Sequence, residues 1–184
     1  MTIQRCGWCS NDPLYISYHD EEWGKVEQDE NRLFEMLCLE GQQAGLSWIT
    51  VLKKRENYRS HFFHYPITKI AEFTDDQLED KLSDAGLIRH LGKLKAIRDN
   101  AIAWQQLKNE VGDVSHWLWA FVDHQTPNND VIHYRDAPAQ TEISQKLSKT
   151  LKKRGFKFVG PTTCYAFMQA VGMVNDHENH CHFK

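Results

Sequence analysis

The chain has 184 residues, 41% of them apolar, and a formal net charge of −3. A chain of that size buries a sizeable core without staples, and its composition excludes a disordered or collagen-like protein. No run approaches the roughly 18 apolar residues of a membrane span, the start MTIQRCGWCS lacks the basic-then-apolar order of a secretory signal, and five cysteines without a regular framework point to a reducing compartment. The expectation is a soluble, cytoplasmic, monomeric protein.

Ten glycines and five prolines among recurrent Leu, Lys, Glu, Gln and Ala predict an all-α fold. In NDPLYISYHD, Asp12 suits an N-cap with Pro13 at the first helical position. The short helix that follows sets Tyr15, Tyr18 and His19 on one side. Trp8, Tyr15, Tyr18 and Trp23 crowd one stretch, and aromatics with polar handles suit a pocket that stacks a heterocycle. A long helix is predicted over about 29–44 and another from Ser47 to about His61. On the first, Glu40 falls within about 20° of Leu33 around the axis, between Met36 and Leu37. A carboxylate in the middle of an apolar stripe is costly unless it is paired, hydrogen-bonded or protonated, and such a cost is tolerated in functional clefts. A structural arginine partner is the competing account. Downstream, GQQAGLSW sets two glycines, Leu46 and Trp48 at a break between helices, a suitable pocket rim.

Asp75–Ala85 reads as an amphipathic helix ending at Gly86, followed by a turn with Gly92 and a helix from Lys93 to about Leu107. Amides after a glycine turn at a helix N-terminus form a phosphate site, which Lys93, Lys95 and Arg98 would reinforce. This layout is that of a helix-hairpin-helix, which grips a nucleic-acid backbone without reading sequence. Further helices are predicted near 113–122, 141–154 and 161–173, with FKFVG as weak support for sheet. Charge is uneven: residues 141–160 carry six basic side chains against Glu142 alone, and residues 86–98 carry four with no acid. Two basic stretches on a mildly acidic chain could hold a polyanion on one face.

The tail VNDHENHCHFK concentrates metal-ligating side chains. His177 and Cys181 form one pair at zinc-like spacing, and Cys6, Cys9 and His19 offer partners near the start. Spacing alone leaves the choice open: Cys6 and Cys9 could both ligate, and His180 or His182 could replace His177.

Taken together, CGW, DPLYISYHDEEWG, LFEMLCLEGQQAGLSWITVLKKRENYR, AGLIRHLGKLKAI, LKKRGFKFVGPTTCYAFMQAVGMVNDH and Cys181 resemble the 3-methyladenine DNA glycosylase I family. The resemblance runs from Cys6 to Cys181, weaker over 61–80 and 124–141. It implies a helix-hairpin-helix glycosylase fold in one domain over 1–184. A helical body would cover about 30–173, with the hairpin near 84–98, and one structural zinc ion would tie 1–28 to 174–184. It places the zinc ligands on Cys6, His19, His177 and Cys181, leaving Cys9, His180 and His182 outside the pattern. It implies Glu40 and Tyr18 at the chemistry, Tyr15, Tyr18, Glu40 and Trp48 around the base, and Gly45 and Leu46 filling the gap left by a flipped base. Gly92 and Lys93 of the hairpin would contact DNA. The implied substrate is double-stranded DNA carrying alkylated bases, with free 3-methyladenine as product. The family lacks a catalytic aspartate after the hairpin, so Asp113 and Asp123 are expected only to cap or face water. No lysine suggests a Schiff-base nucleophile. A zinc-stabilised DNA-binding module without catalysis is the rival reading.

Overall fold

The computed structural model describes residues 2–184, and among them it is helical throughout, with one isolated bridge between Asn128 and Asn175 in place of any strand. FKFVG is therefore loop. The helices are α1 (Pro13–Glu21), α2 (Glu30–Gln42), α3 (Trp48–Tyr58), α4 (Ile67–Ile70), α5 (Asp75–Asp80), α6 (Leu91–Val111), α7 (Val114–Trp119), α8 (Glu142–Lys153) and α9 (Pro161–Ala170). None is long and apolar enough to cross a membrane.

Local chemistry sets the starts. Asp12 accepts the Leu14 N–H with Pro13 behind it, Asp29 accepts from Arg32, and Thr74 and Thr141 form capping boxes. Asp113 caps α7, accepting the His116 N–H at 2.9 Å, while Asp123 is exposed in a left-handed conformation. Asp113 is thus a cap, and Asp123 faces water.

Helix α2 is the hub. Leu33, Phe34, Leu37, Cys38 and Leu39 are buried against α6, α3 and α9. Buried Gln42 near its end accepts from Tyr58 Oη at 3.0 Å and donates to Lys93 O at 3.0 Å, stitching α3 and α6 to the hub.

Three boundaries differ from the sequence reading. Helix α2 stops at Gln42 because Gly45 takes a positive φ of 78° and the chain turns there. Helix α3 closes through a wider turn over Arg59–Phe63. Helix α5 gives way after Asp80 to a single tight turn, so the hairpin's first arm is shorter than the predicted 75–85. Its bend lies over 84–90, where the Asp84 carboxylate accepts the Gly86 N–H at 2.6 Å. A Cβ on Gly86 would meet the Asn57 amide at 1.7 Å, so this glycine is required by close approach. Gly92 is not the turn glycine: α6 begins at Leu91, capped by His90, and Gly92 lies in its first turn.

Candidate active site

The last turn of α2 carries Glu40 into a cavity of about 290 Å³ at the meeting of α1, α2, the start of α3, α9 and the loops flanking them. Glu40 is 5% exposed, and among the described residues no side chain hydrogen-bonds its carboxylate. The arginines that could have paired with it are committed elsewhere: Arg55 makes a two-pronged pair with Glu22 at 2.7 Å, and Arg59 pairs with Glu35. Burial, unopposed, pushes the Glu40 carboxyl up to about 8. Burial thus favours its neutral, protonated form.

Aromatic side chains form the walls. Trp8 packs against Tyr15 at 5.1 Å and Trp23 at 4.9 Å between ring centroids, and Tyr18 tilts against Trp48 at 5.5 Å. Tyr18 also receives the Arg55 guanidinium over its ring, 6.0 Å from the centroid. Burial and the neighbouring Glu40 hold its phenol well above the usual tyrosine range. The Trp48 indole N–H is buried without a partner. A heterocycle entering this space meets ring faces, one carboxyl and one unused donor.

Four polar contributors escaped the sequence reading: Gln43, Tyr134, Gln169 and Asp176 also line the cavity. The buried Asp176 carboxylate accepts from Tyr165 Oη at 2.5 Å, Asn129 Nδ2 at 2.7 Å and Gln169 Nε2 at 2.9 Å. Their only signal was Asp176 lying beside His177. Tyr134 comes from a loop whose position no local pattern discloses.

At the mouth, Ala44, Gly45 and Leu46 form an exposed loop, with Leu46 41% exposed. Lys93 departs from the expected role on DNA. Its ammonium is buried, donating to Gln42 O at 2.9 Å and Ala44 O at 2.7 Å. It neutralises the carbonyl end of α2 and fixes the Gly45–Leu46 loop to α6. Lys95 and Arg98 are likewise engaged, both on Asp75. Gly92 is exposed, in the α6 turn whose first amides have no intrahelical partner.

Behind the Tyr18 wall, Cys6, His19, His177 and Cys181 converge, all buried, with their ligand atoms within 4.8 Å of one another. Cys6 Sγ lies 3.4 Å and Cys181 Sγ 3.5 Å from His177 Nδ1, and Cys181 Sγ lies 3.6 Å from His19 Nε2. A tetrahedral zinc ion with ordinary Zn–S and Zn–N bonds has sulfur-to-nitrogen edges of about 3.6 Å, so the residues fit one. The outward nitrogens are also occupied: His19 Nδ1 meets Asp20 Oδ1 at 2.7 Å, and His177 Nε2 meets Trp23 O at 3.2 Å. Such partners fix the tautomer that presents the other nitrogen to a metal. Cys9 turns to Ser10 O, and His180 is exposed beside Arg5 O, so neither joins the four. His182 also stands outside the cluster.

Comparison with known proteins gives a consistent picture. The methyladenine glycosylase family model matches residues 8–184. The chain is 54% identical over 179 residues to DNA-3-methyladenine glycosylase 1 of Escherichia coli, covering 97% of this chain and 96% of that protein. A crystal structure of 3-methyladenine DNA glycosylase I superposes with a TM-score of 0.95 at 52% identity, covering 97% of this chain and 98% of that one. The Staphylococcus aureus enzyme, whose structure concerns its recognition of 3-methyladenine, matches at 34% identity and a TM-score of 0.95, covering 100% of this chain and 98% of that one.

Proposed function

The chain belongs to the methyladenine glycosylase family, and from that premise we propose that it hydrolyses the N-glycosidic bond of 3-methyladenine in alkylated DNA, releasing the free base and leaving an abasic site. The observation that carries this reading is the buried, unpartnered Glu40 inside an aromatic cavity. A carboxyl at such cost is explained by a cationic ligand that restores its charge.

Methylation at N3 gives the adenine a positive charge and weakens its glycosidic bond, so the protein's task is to select, orient and dry the base rather than supply strong acid or base. The damaged nucleotide rotates out of the duplex at a cost of a few kcal/mol, and Leu46 enters the gap, with Gly45 allowing the tight loop. The base slides between the Tyr15, Tyr18 and Trp48 rings, which attract its cation. The positive base favours the ionised form of Glu40, whose proton leaves to solvent as the base enters, and its exocyclic amine then donates to the carboxylate. 7-Methylguanine, also cationic, presents a carbonyl at that edge, so acceptor meets acceptor and release is poor.

The duplex is gripped by a helix-hairpin-helix over 84–98 through the exposed first turn of α6 at Gly92, while Lys93 holds the Leu46 loop in position from behind. Cys6, His19, His177 and Cys181 would together hold one zinc ion, whose four protein ligands suit a structural rather than a catalytic part. No lysine lines the cavity, consistent with a glycosylase that does not cut the strand. Borohydride trapping of a protein–DNA adduct would contradict this.

The decisive experiment is base release from methylated duplex DNA, chromatographed against 3-methyladenine, 3-methylguanine and 7-methylguanine. Release of 3-methyladenine by the wild type, reduced in Glu40→Gln, is expected. Absence of release by folded protein would leave a DNA-binding module without catalysis.

A further inference from the structure

Phe158 holds a backbone conformation that a bulky side chain seldom adopts, with φ at +53°, yet it keeps 38% of its surface exposed. The loop is held there by deliberate buried contacts. Asn100, 3% exposed, donates to Lys157 O at 3.2 Å and accepts the Lys157 N–H at 2.7 Å, and buried Ser148 donates to Val159 O at 2.6 Å. The Phe158 main chain lies over the last turn of α2, where a Cβ on Gly41 would meet Phe158 Cβ and O at 3.1 Å. Its ring meets His90, the cap of α6, edge to face at 6.2 Å. Strain of this kind persists where the surroundings overdetermine it, and it concentrates at binding sites. Burial does not account for the aromatic ring, since much of it remains in water.

We infer that Phe158 is a DNA-contacting residue, an apolar ring presented to the duplex beside the Leu46 loop and the α6 N-terminus, with Lys157 reaching the adjacent phosphates. This rests on the glycosylase reading above. The occupant follows from continuity and charge. Phe158 touches both the α2 end that leads into the Leu46 loop and the residue that caps the hairpin helix. Lys157 precedes Phe158 and Arg89 precedes His90 in the chain; both are exposed, as are Lys152 and Lys153 at the end of α8, none of the four is in an ion pair among the described residues, and 143–160 contains no acid. A ring flanked by cations suits a base step bordered by phosphates, and no acidic partner surface is needed.

The test uses Phe158→Asn, because asparagine accepts the left-handed backbone, and Phe158→Tyr, which keeps the ring. Affinity is measured for a duplex carrying a tetrahydrofuran abasic site and, separately, for free 3-methyladenine, with melting temperature recorded. The inference expects Phe158→Asn to lose at least tenfold in duplex affinity while free-base affinity and melting hold, and Phe158→Tyr to stay near wild type. Wild-type duplex affinity in Phe158→Asn overturns it. Equal losses for both ligands with a lowered melting temperature also overturn it, making Phe158 a packing residue over Gly41. If the wild type itself releases no 3-methyladenine from methylated duplex, the glycosylase reading fails; if it does and Phe158→Asn matches it, only the role of Phe158 fails.

Discussion

The two buried polar centres of this molecule adjoin each other through Tyr18 and His19, yet they are finished in opposite ways. In the Cys6–His19–His177–Cys181 cluster each outward ring nitrogen has a partner, and a backbone amide of Glu178 points at Cys6 Sγ. In the cavity, Glu40 and the Trp48 indole have no hydrogen-bond partner among the described residues. A completed polar network holds a structure in one arrangement, while an incomplete one is costly until a ligand completes it. The cluster is built to be permanent, and the cavity is built to be filled.

The contrast can be broken most forcefully at the cluster. Cys181→Ser, or treatment with a strong chelator to remove the zinc proposed for it, is expected to cost about 3–5 kcal/mol, roughly 6–20 °C of melting temperature for a chain this long. Activity should fall only as the fold loosens. A metal-free preparation with unchanged melting would show that the cluster has no metal to lose.

The cavity makes the reverse prediction, that removing its central group stabilises the empty protein. Because burial raises the folded-state pKa of Glu40 to about 8, the folded protein binds the proton more tightly than the unfolded chain. Its contribution to stability is fully present below the ordinary glutamate value and is lost as pH rises through about 8. Thermal melts of Glu40→Gln and wild type should therefore separate with rising pH, the variant higher by on the order of 2–3 kcal/mol near pH 9 and the gap closing near pH 4. A gap that stays constant with pH would mean that Glu40 is not protonated in the empty cavity. The same substitution should weaken binding of cationic base by about 2 kcal/mol, some thirtyfold, the worth of a hydrogen bond to a charged group. Calorimetric titration with 3-methyladenine at acidic pH, where the base carries its proton, would read this directly.

The smallest effect lies at Lys93, between α6 and the Gly45–Leu46 loop. Lys93→Met leaves the Gln42 and Ala44 carbonyls unpaired, at about 1–2 kcal/mol. Because the loop rather than the cavity is loosened, turnover on duplex should fall several-fold while free-base affinity holds. If free-base affinity fell in step, Lys93 would be shaping the cavity instead.

Much of this arrangement was legible in the residues because it depends on helical period. Once α2 is a helix, Glu40 must share a face with Leu33 and Leu37, and Asp12 with Pro13 starts α1 so that Tyr15, Tyr18 and His19 fall together. Direction was harder to read. Lys93 looked like a DNA contact because sequence reports its charge but not where a flexible side chain finds carbonyls to neutralise. Gly92 looked like the turn, although Gly86, wedged against Asn57, does that work. Tyr134, Gln169 and Asp176 reach the cavity through loop geometry and a buried carboxylate network with no local period.

The chain distance within the cluster has a consequence for how the protein is made. Cys6 and His177 are 171 residues apart, yet their side chains touch. During synthesis the helices that carry Glu40, Trp48 and the hairpin leave the ribosome well before His177 and Cys181 exist. Until those two arrive, His19 has no cluster to join, and the Tyr18 wall beside it lacks its anchor. A nascent chain is therefore expected to fix the Tyr18 side of the cavity last, once His177 and Cys181 have been made.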